Sequence, residues 1–149
     1  MKIAIGCDGA GYVLKAAVTD CLKELGYGYT DYGTDSEASC DYPDFAVAVA
    51  EAVAAGKCQK GILLCGTGIG MAICANKVKN IRAAVCSDEF SAKATAAHND
   101  SNILCVGGRV VDAETAKKIV GLWLTTPFEG GRHQRRLDKI NETESRYFK

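Results

Sequence analysis

Short apolar runs alternate with helical segments five times along this chain of 149 residues, and this alternation constrains the fold more than any other feature. Four of the five strand-like runs are mostly apolar, which is typical of strands that are buried on both faces of a sheet, whereas the run over residues 27–32 is more polar. The segments between them repeat apolar residues at three- and four-residue spacing, as amphipathic helices do. The pattern predicts a single α/β domain over residues 1–149, with one open sheet of five parallel strands covered by helices on both faces.

The predicted elements follow from apolar periodicity and from Gly and Pro positions. The strands are predicted over residues 2–7, 27–32, 61–65, 82–86 and 103–106. The helices are predicted over residues 12–25, 45–55, 71–76, 88–97 and 112–124, and the charged tail from Gly131 is compatible with a C-terminal helix. Pro43 suits the first turn of its helix, and Ser87 is expected to cap the helix that starts at Asp88.

The overall charge excludes several classes of partner. Lys plus Arg and Asp plus Glu number 18 each, so nothing in the net charge attracts nucleic acid or anionic membranes. No apolar run approaches the roughly 20 residues that a bilayer requires. The first residues do not form the apolar core of a signal peptide, so we expect a cytoplasmic protein.

Eight cysteines are present, but no two have the C-x-x-C spacing of zinc ribbons or thioredoxin-like proteins. Most of them lie in apolar segments, where free cysteine behaves as a small hydrophobic residue. Only Cys65 is assigned a chemical role, because it ends a predicted strand and precedes a glycine-rich loop.

The loop that follows Cys65 reads Gly66-Thr67-Gly68-Ile69-Gly70 and leads into a helix. Its glycines alternate, so it matches neither the G-x-G-x-x-G dinucleotide motif nor a Walker A loop. Amides at such a turn can hold an oxyanion, and a thiol beside them can act as a general base. A buried cysteine followed by a simple helix-entry turn explains the same residues equally well.

Other candidates lie where ligands of parallel sheets are expected, beyond the carboxyl ends of the strands. Asp8 follows the first strand and Arg109 follows the fifth, while His98 precedes the fifth strand. Arg132 and Arg136 share one helical face and suit a phosphate group, although a solvated basic face paired with nearby carboxylates is the alternative.

In this order and spacing, the chain resembles type B ribose-5-phosphate isomerases, a family that includes relatives acting on galactose 6-phosphate and allose 6-phosphate. The resemblance runs from Met1 to about Ile140. The motifs that carry it cover residues 5–8, 41–43, 65–70, 75–77, 82–83, 98–100, 107–111 and 130–134. It implies a Rossmann-like sheet, no metal or organic cofactor, and a homodimer or tetramer whose site lies at the subunit interface.

The resemblance also implies a role for each candidate residue in interconverting ribose 5-phosphate and ribulose 5-phosphate. Cys65 would move a proton between carbons 1 and 2 through a cis-enediolate, which Thr67 and the loop amides would stabilise. Asp8 and His98 would help to open the furanose ring. The substrate-binding residues would be Gly66, Gly68, Gly70, Asn99 from the neighbouring subunit, and Arg109, Arg132 and Arg136 on the phosphate.

Gly9 departs from the family pattern, in which a histidine at this position usually joins the phosphate site. Loss of bulk there is compatible with a six-carbon sugar phosphate, and His133 is a candidate replacement for the imidazole. A non-catalytic sugar-phosphate-binding relative is a second alternative. A redox sensor based on Cys65 is a third, although the sequence shows no resolving partner for it.

Overall fold

In the computed structural model, which describes residues 1–148, five strands form one parallel sheet with the order β2-β1-β3-β5-β4. The strands are β1 (Lys2–Cys7), β2 (Gly28–Asp31), β3 (Lys60–Cys65), β4 (Ala83–Val85) and β5 (Ile103–Gly107). The predicted parallel sheet is therefore confirmed, and its bounds differ from the predicted ones by no more than about one residue at either end.

Helices cover both faces of the sheet, as the alternation predicts. After a 3₁₀ turn at Tyr12–Leu14, they are α1 (Lys15–Glu24), α2 (Tyr42–Ala54), α3 (Ile69–Ala75), α4 (Glu89–Asn99), α5 (Ala113–Thr125) and the C-terminal α6 (Arg132–Tyr147). Strand residues alternate between two cores, with α1, α4 and α5 on one face and α2 and α3 on the other. Within residues 1–148, no helix is both long enough and apolar enough to cross a bilayer.

The pairing of the three central strands places their carboxyl ends side by side. Cys7 at the end of β1 pairs with Leu64 of β3, and Cys65 pairs with Gly107 of β5. From β1 the chain adds β2 on one side and then β3 on the other, so the order of strands reverses between β1 and β3. Open α/β sheets bind ligands in the crevice at such a reversal.

The start of α4 differs from the sequence prediction. The N-cap is Asp88 rather than Ser87, and its carboxylate accepts a hydrogen bond from the Ser91 amide at 2.6 Å. Asp88 has extended backbone angles that direct its side chain toward the free amides of the first turn. Both residues are capping types, so the path of the chain after β4 decides between them.

We expect Asp88→Ala to lower the free energy of unfolding by about 1 kcal/mol, because one first-turn amide then loses its acceptor. Ser87→Ala is the matched control and should change it by only a few tenths of a kcal/mol. Urea denaturation at one fixed protein concentration, under reducing conditions, measures both. Equal losses for the two variants would contradict the assignment of Asp88 as the cap.

Candidate active site

A cleft of about 840 Å³ opens at the carboxyl ends of β1, β3 and β5. It brings together residues from three loops that are far apart in sequence. Of the candidates from the sequence, those that line it are Asp8, Cys65, Gly66, Thr67, Gly70 and Arg109, which we call the cleft group. The register of the central strands explains this convergence, because each of these loops leaves the sheet at the same edge.

Cys65 lies at the base of this cleft and is only 5% exposed. Its Sγ accepts a hydrogen bond from the Gly68 amide at 3.0 Å, so the thiol proton is free to be directed elsewhere. Gly68 has a φ of 84°, and a Cβ on it would lie 3.1 Å from the backbone of Cys105. Only glycine fits this turn without strain. The turn positions the Gly68 amide that holds the Cys65 sulfur at the end of β3.

The loop after β5 is fastened to the Cys65 loop by backbone hydrogen bonds. The Gly108 amide donates to the Cys65 carbonyl at 2.7 Å, and the Arg109 amide donates to the Gly66 carbonyl at 3.0 Å. A Cβ on Gly66 would lie 3.6 Å from Nη1 of Arg109, so the guanidinium lies alongside the glycine loop. A positive charge therefore lies beside the glycine loop and contributes to the lining of the cleft.

Asp8 and Thr67 complete the polar lining. One Asp8 oxygen accepts from the Gly11 amide at 2.9 Å, and the Asp8 amide donates to the Leu64 carbonyl at 3.1 Å. Thr67 is exposed, and its hydroxyl accepts from the Ile69 amide at 3.2 Å. Both side chains are held by backbone amides in positions that face the cleft.

Besides Gly68, whose amide donates to Cys65, four other candidates do not line this cleft. His98 and Asn99 are in the last turn of α4, while Arg132 and Arg136 are exposed on the first turns of α6. We call these four residues the α4–α6 group. No carboxylate among residues 1–148 pairs with either arginine, and Asp138 instead accepts from Gln134 at 2.9 Å. One chain therefore carries the candidate residues in two separate groups.

The end of α4 is held by Arg82. Its guanidinium donates to the backbone carbonyls of Asn99 and Asp100 at 2.8 to 3.1 Å. Asp100 then reverses the chain with a φ of 44°, a left-handed conformation that asparagine and aspartate tolerate best among non-glycine residues. These contacts fix the direction in which His98 and Asn99 leave the helix.

The space next to Gly9 is filled by backbone. A Cβ on Gly9 would lie 2.3 Å from the Ala38 carbonyl oxygen and 2.7 Å from that of Glu37. The room gained by the missing histidine is therefore occupied by the loop before α2, and does not lengthen the cleft. His133, the candidate replacement for that imidazole, is buried and does not line the cleft of its own chain.

Sequence reasoning missed several residues that line the cleft. Glu37, Ser39 and Cys40 come from the polar loop before α2, and Tyr42 begins that helix. A Cβ on Gly70 would lie 2.6 Å from the Tyr42 ring, so the ring packs directly on the glycine loop. The motif at residues 41–43 marks Tyr42, but no pattern in the sequence places the preceding residues beside Cys65.

Most of the cysteine side chains are buried, whereas that of Cys40 is exposed. Burial raises the pKa of the Cys7 and Cys86 thiols to about 11, and raises that of Cys105 well above its usual value. Cys40 is exposed, Cys74 is partly buried and the other six are buried, and no two of the eight form a disulfide. Cys7, Cys86 and Cys105 are therefore protonated at neutral pH and behave as apolar side chains.

Comparison with known proteins agrees with this architecture. The sequence model of the Ribose/Galactose Isomerase family matches residues 3–140. The chain belongs to this family. The ribose-5-phosphate isomerase B of Escherichia coli is 50% identical over 145 residues, which cover 97% of each protein. The D-erythrulose-4-phosphate isomerase of Pectobacterium atrosepticum is 46% identical, over 97% of this chain and 95% of its own.

The fold comparison gives the same result. The structure of Clostridium thermocellum ribose-5-phosphate isomerase B has a TM-score of 0.96, with 52% identity over 99% of both chains. The resemblance to type B ribose-5-phosphate isomerases is therefore confirmed, and with it the assignment of the chain as a sugar-phosphate isomerase.

We expect iodoacetamide at pH 7.5 to modify Cys40 first, because this thiol is exposed. Cys7, Cys86 and Cys105 should stay unmodified until the protein unfolds. For Cys7 and Cys86 the thiolate fraction at this pH is on the order of 0.1% or less, because a pKa near 11 lies more than three pH units higher. Peptide mapping by mass spectrometry measures each site, and early labelling of Cys86 would contradict the burial described here.

Proposed function

We propose that this enzyme interconverts ribose 5-phosphate and ribulose 5-phosphate, with Cys65 as the base. The observation that carries the proposal is that Cys65 lines one cleft together with the glycine loop, Asp8 and Arg109. A thiolate there takes the proton from carbon 2 of the open-chain aldose and returns it to carbon 1. Amides of the loop and the Thr67 hydroxyl stabilise the cis-enediolate formed between the two steps.

Ring opening precedes proton transfer, because the sugar in solution is mainly a furanose. In the proposed step, the bond between carbon 1 and the ring oxygen breaks and leaves its electron pair on that oxygen. The His98 imidazolium donates a proton to the ring oxygen, and Asp8 takes the proton of the carbon 1 hydroxyl. The two residues exchange one proton each with the sugar, so no co-reactant is needed.

The separation of the two residue groups supports a site shared between two chains. Asp8 and Cys65 belong to the cleft group, whereas His98 and Asn99 belong to the α4–α6 group of the same chain. In a homodimer or tetramer, the α4–α6 group of one subunit would complete the cleft of its neighbour. Arg132 and Arg136, which lack carboxylate partners among residues 1–148, would then join Arg109 on the phosphate.

The surroundings of Gly9 favour a five-carbon substrate over a six-carbon one. Backbone atoms of Glu37 and Ala38 occupy the space that the missing side chain leaves, so the cleft gains no length there. The relatives named above act on a five-carbon and a four-carbon sugar phosphate, according to their names. Rates on ribose 5-phosphate, allose 6-phosphate and galactose 6-phosphate decide between the five-carbon proposal and the six-carbon alternative.

We expect Cys65→Ala to lower kcat on ribose 5-phosphate by roughly 10³-fold or more, because the variant lacks the thiol that takes the proton from carbon 2. The assay follows ribulose 5-phosphate under reducing conditions without added metal. Cys58→Ala is the matched control: Cys58 is buried at the opposite end of β3 and should leave kcat nearly unchanged. Full activity of Cys65→Ala would refute the assignment of the base.

A mixing experiment tests the shared site. Cys65→Ala and His98→Ala are each expected to be inactive as homodimers, because every site lacks one group. Co-expressed subunits should regain about a quarter of wild-type activity, since half the dimers are mixed and each has one intact site. A site contained within one chain predicts no recovery, and the wild-type oligomeric state by light scattering accompanies the test.

A further inference from the structure

Three titratable side chains meet outside the cleft, between the end of α4 and the start of α6. The imidazole rings of His98 and His133 are stacked, with centroids 4.3 Å apart and planes 12° from parallel. The Glu129 carboxylate faces both rings, with its two oxygens 3.9 Å from Nε2 of His98 and 3.5 Å from Nε2 of His133. We call these three residues the imidazole stack.

Backbone contacts fix the imidazole stack in place. The Glu129 amide donates to the Ala97 carbonyl at 3.0 Å, which ties the loop before α6 to the turn that carries His98. The His133 amide donates to the Gly130 carbonyl at 3.1 Å in the first turn of α6. His133 is only 5% exposed, so its ring forms a fixed surface beneath the half-exposed ring of His98.

The geometry suits a shared carboxylate better than a shared metal ion. The ligand atoms of these three residues all lie within 4.8 Å of one another, which is close enough for an ion in principle. The lone pairs of the two Nε2 atoms, however, lie in the planes of two stacked, nearly parallel rings, so they do not point at one common position. A carboxylate presents two oxygens side by side, one toward each ring. The buried Nε2 of His133 has no hydrogen-bond partner among the described residues, and a Glu129 oxygen lies 3.5 Å from it.

Burial and the surrounding charges disfavour a proton on the buried ring of the stack. Burial, followed by the nearby Arg132 guanidinium and His98, lowers the pKa of His133, while Glu129 raises it less and Arg136 lowers it further. His133 is therefore neutral at physiological pH. The remaining charged pair at this end of α4 is Arg82 with Asp100, at 3.6 Å.

We propose that Glu129 and His133 are positioning residues for His98, the first stabilising its imidazolium form and the second orienting its ring by stacking. This inference rests on the proposed function, in which the His98 imidazolium donates a proton to the ring oxygen of the sugar. Neither residue touches the substrate. Their effect is confined to ring opening, and proton transfer at Cys65 does not depend on them.

A four-carbon sugar phosphate separates the two steps. In erythrose 4-phosphate, the oxygen that would close a furanose carries the phosphate, so this sugar has no ring to open. Glu129→Gln should lower kcat/KM on ribose 5-phosphate by about tenfold and on erythrose 4-phosphate by less than about twofold. His133→Ala should show the same selective loss, and His133→Phe should restore the rate because it restores the stacking surface.

A second measurement needs no turnover. The chain has only two histidines, so NMR spectra of its imidazoles contain two sets of ring signals. Removing the negative charge in Glu129→Gln should move the midpoint of the His98 titration to lower pH by about 0.5 unit. The matched control is Glu142→Gln, which removes a carboxylate nine residues beyond His133 on α6 and should leave the midpoint unchanged.

The outcomes are distinct. Equal losses on the two sugars, or an unmoved His98 midpoint in Glu129→Gln, would overturn the proposal. Tight binding of Zn²⁺ that shifts both histidine signals and disappears in Glu129→Gln would also overturn it, in favour of a metal site. If wild-type protein converts neither sugar, the proposed function fails, and the NMR titration still decides whether Glu129 controls His98.

Discussion

The site depends on the hydrogen-bonded register of three parallel strands. Because β1, β3 and β5 end level with one another, Asp8, the Cys65 loop and Arg109 emerge from the sheet within reach of a single small molecule. None of these residues is near the others in sequence. A shift of one strand by two residues would keep every side chain on its face of the sheet and would still separate the loops by about 7 Å. The core that fixes the register therefore also fixes the chemistry.

The sheet was predictable because each strand can be recognised from the residues of its own segment. Strands buried on both faces are apolar throughout, and the glycines and prolines between them mark the turns, so each element is visible in its own segment. The same holds for the Cys65 loop, whose glycines are required by the turn itself. The helix start at Asp88 was not predictable in this way. Two adjacent capping residues are equivalent in sequence, and only the backbone path distinguishes them.

Features that depend on distant contacts were missed for a different reason. The segment before α2 is polar and lacks periodicity, so nothing in it indicates that Glu37 and Cys40 face the cleft. No pattern in the sequence predicts that Glu129 lies beside His98 either, because its position depends on a backbone hydrogen bond to the end of another helix. The resemblance to a family supplied the roles of single residues, whereas the structure supplied their neighbours.

Gly9 makes the loop after β1 and the loop before α2 dependent on each other. Because the Ala38 carbonyl lies where a side chain at position 9 would begin, a larger residue at position 9 requires a different path for the loop before α2. Conversely, this loop can occupy its present place only while position 9 remains glycine. The effects of substitutions in the two segments are therefore coupled: a side chain at position 9 fits only when the loop before α2 takes a different path, so the loop and position 9 have to be exchanged as one unit.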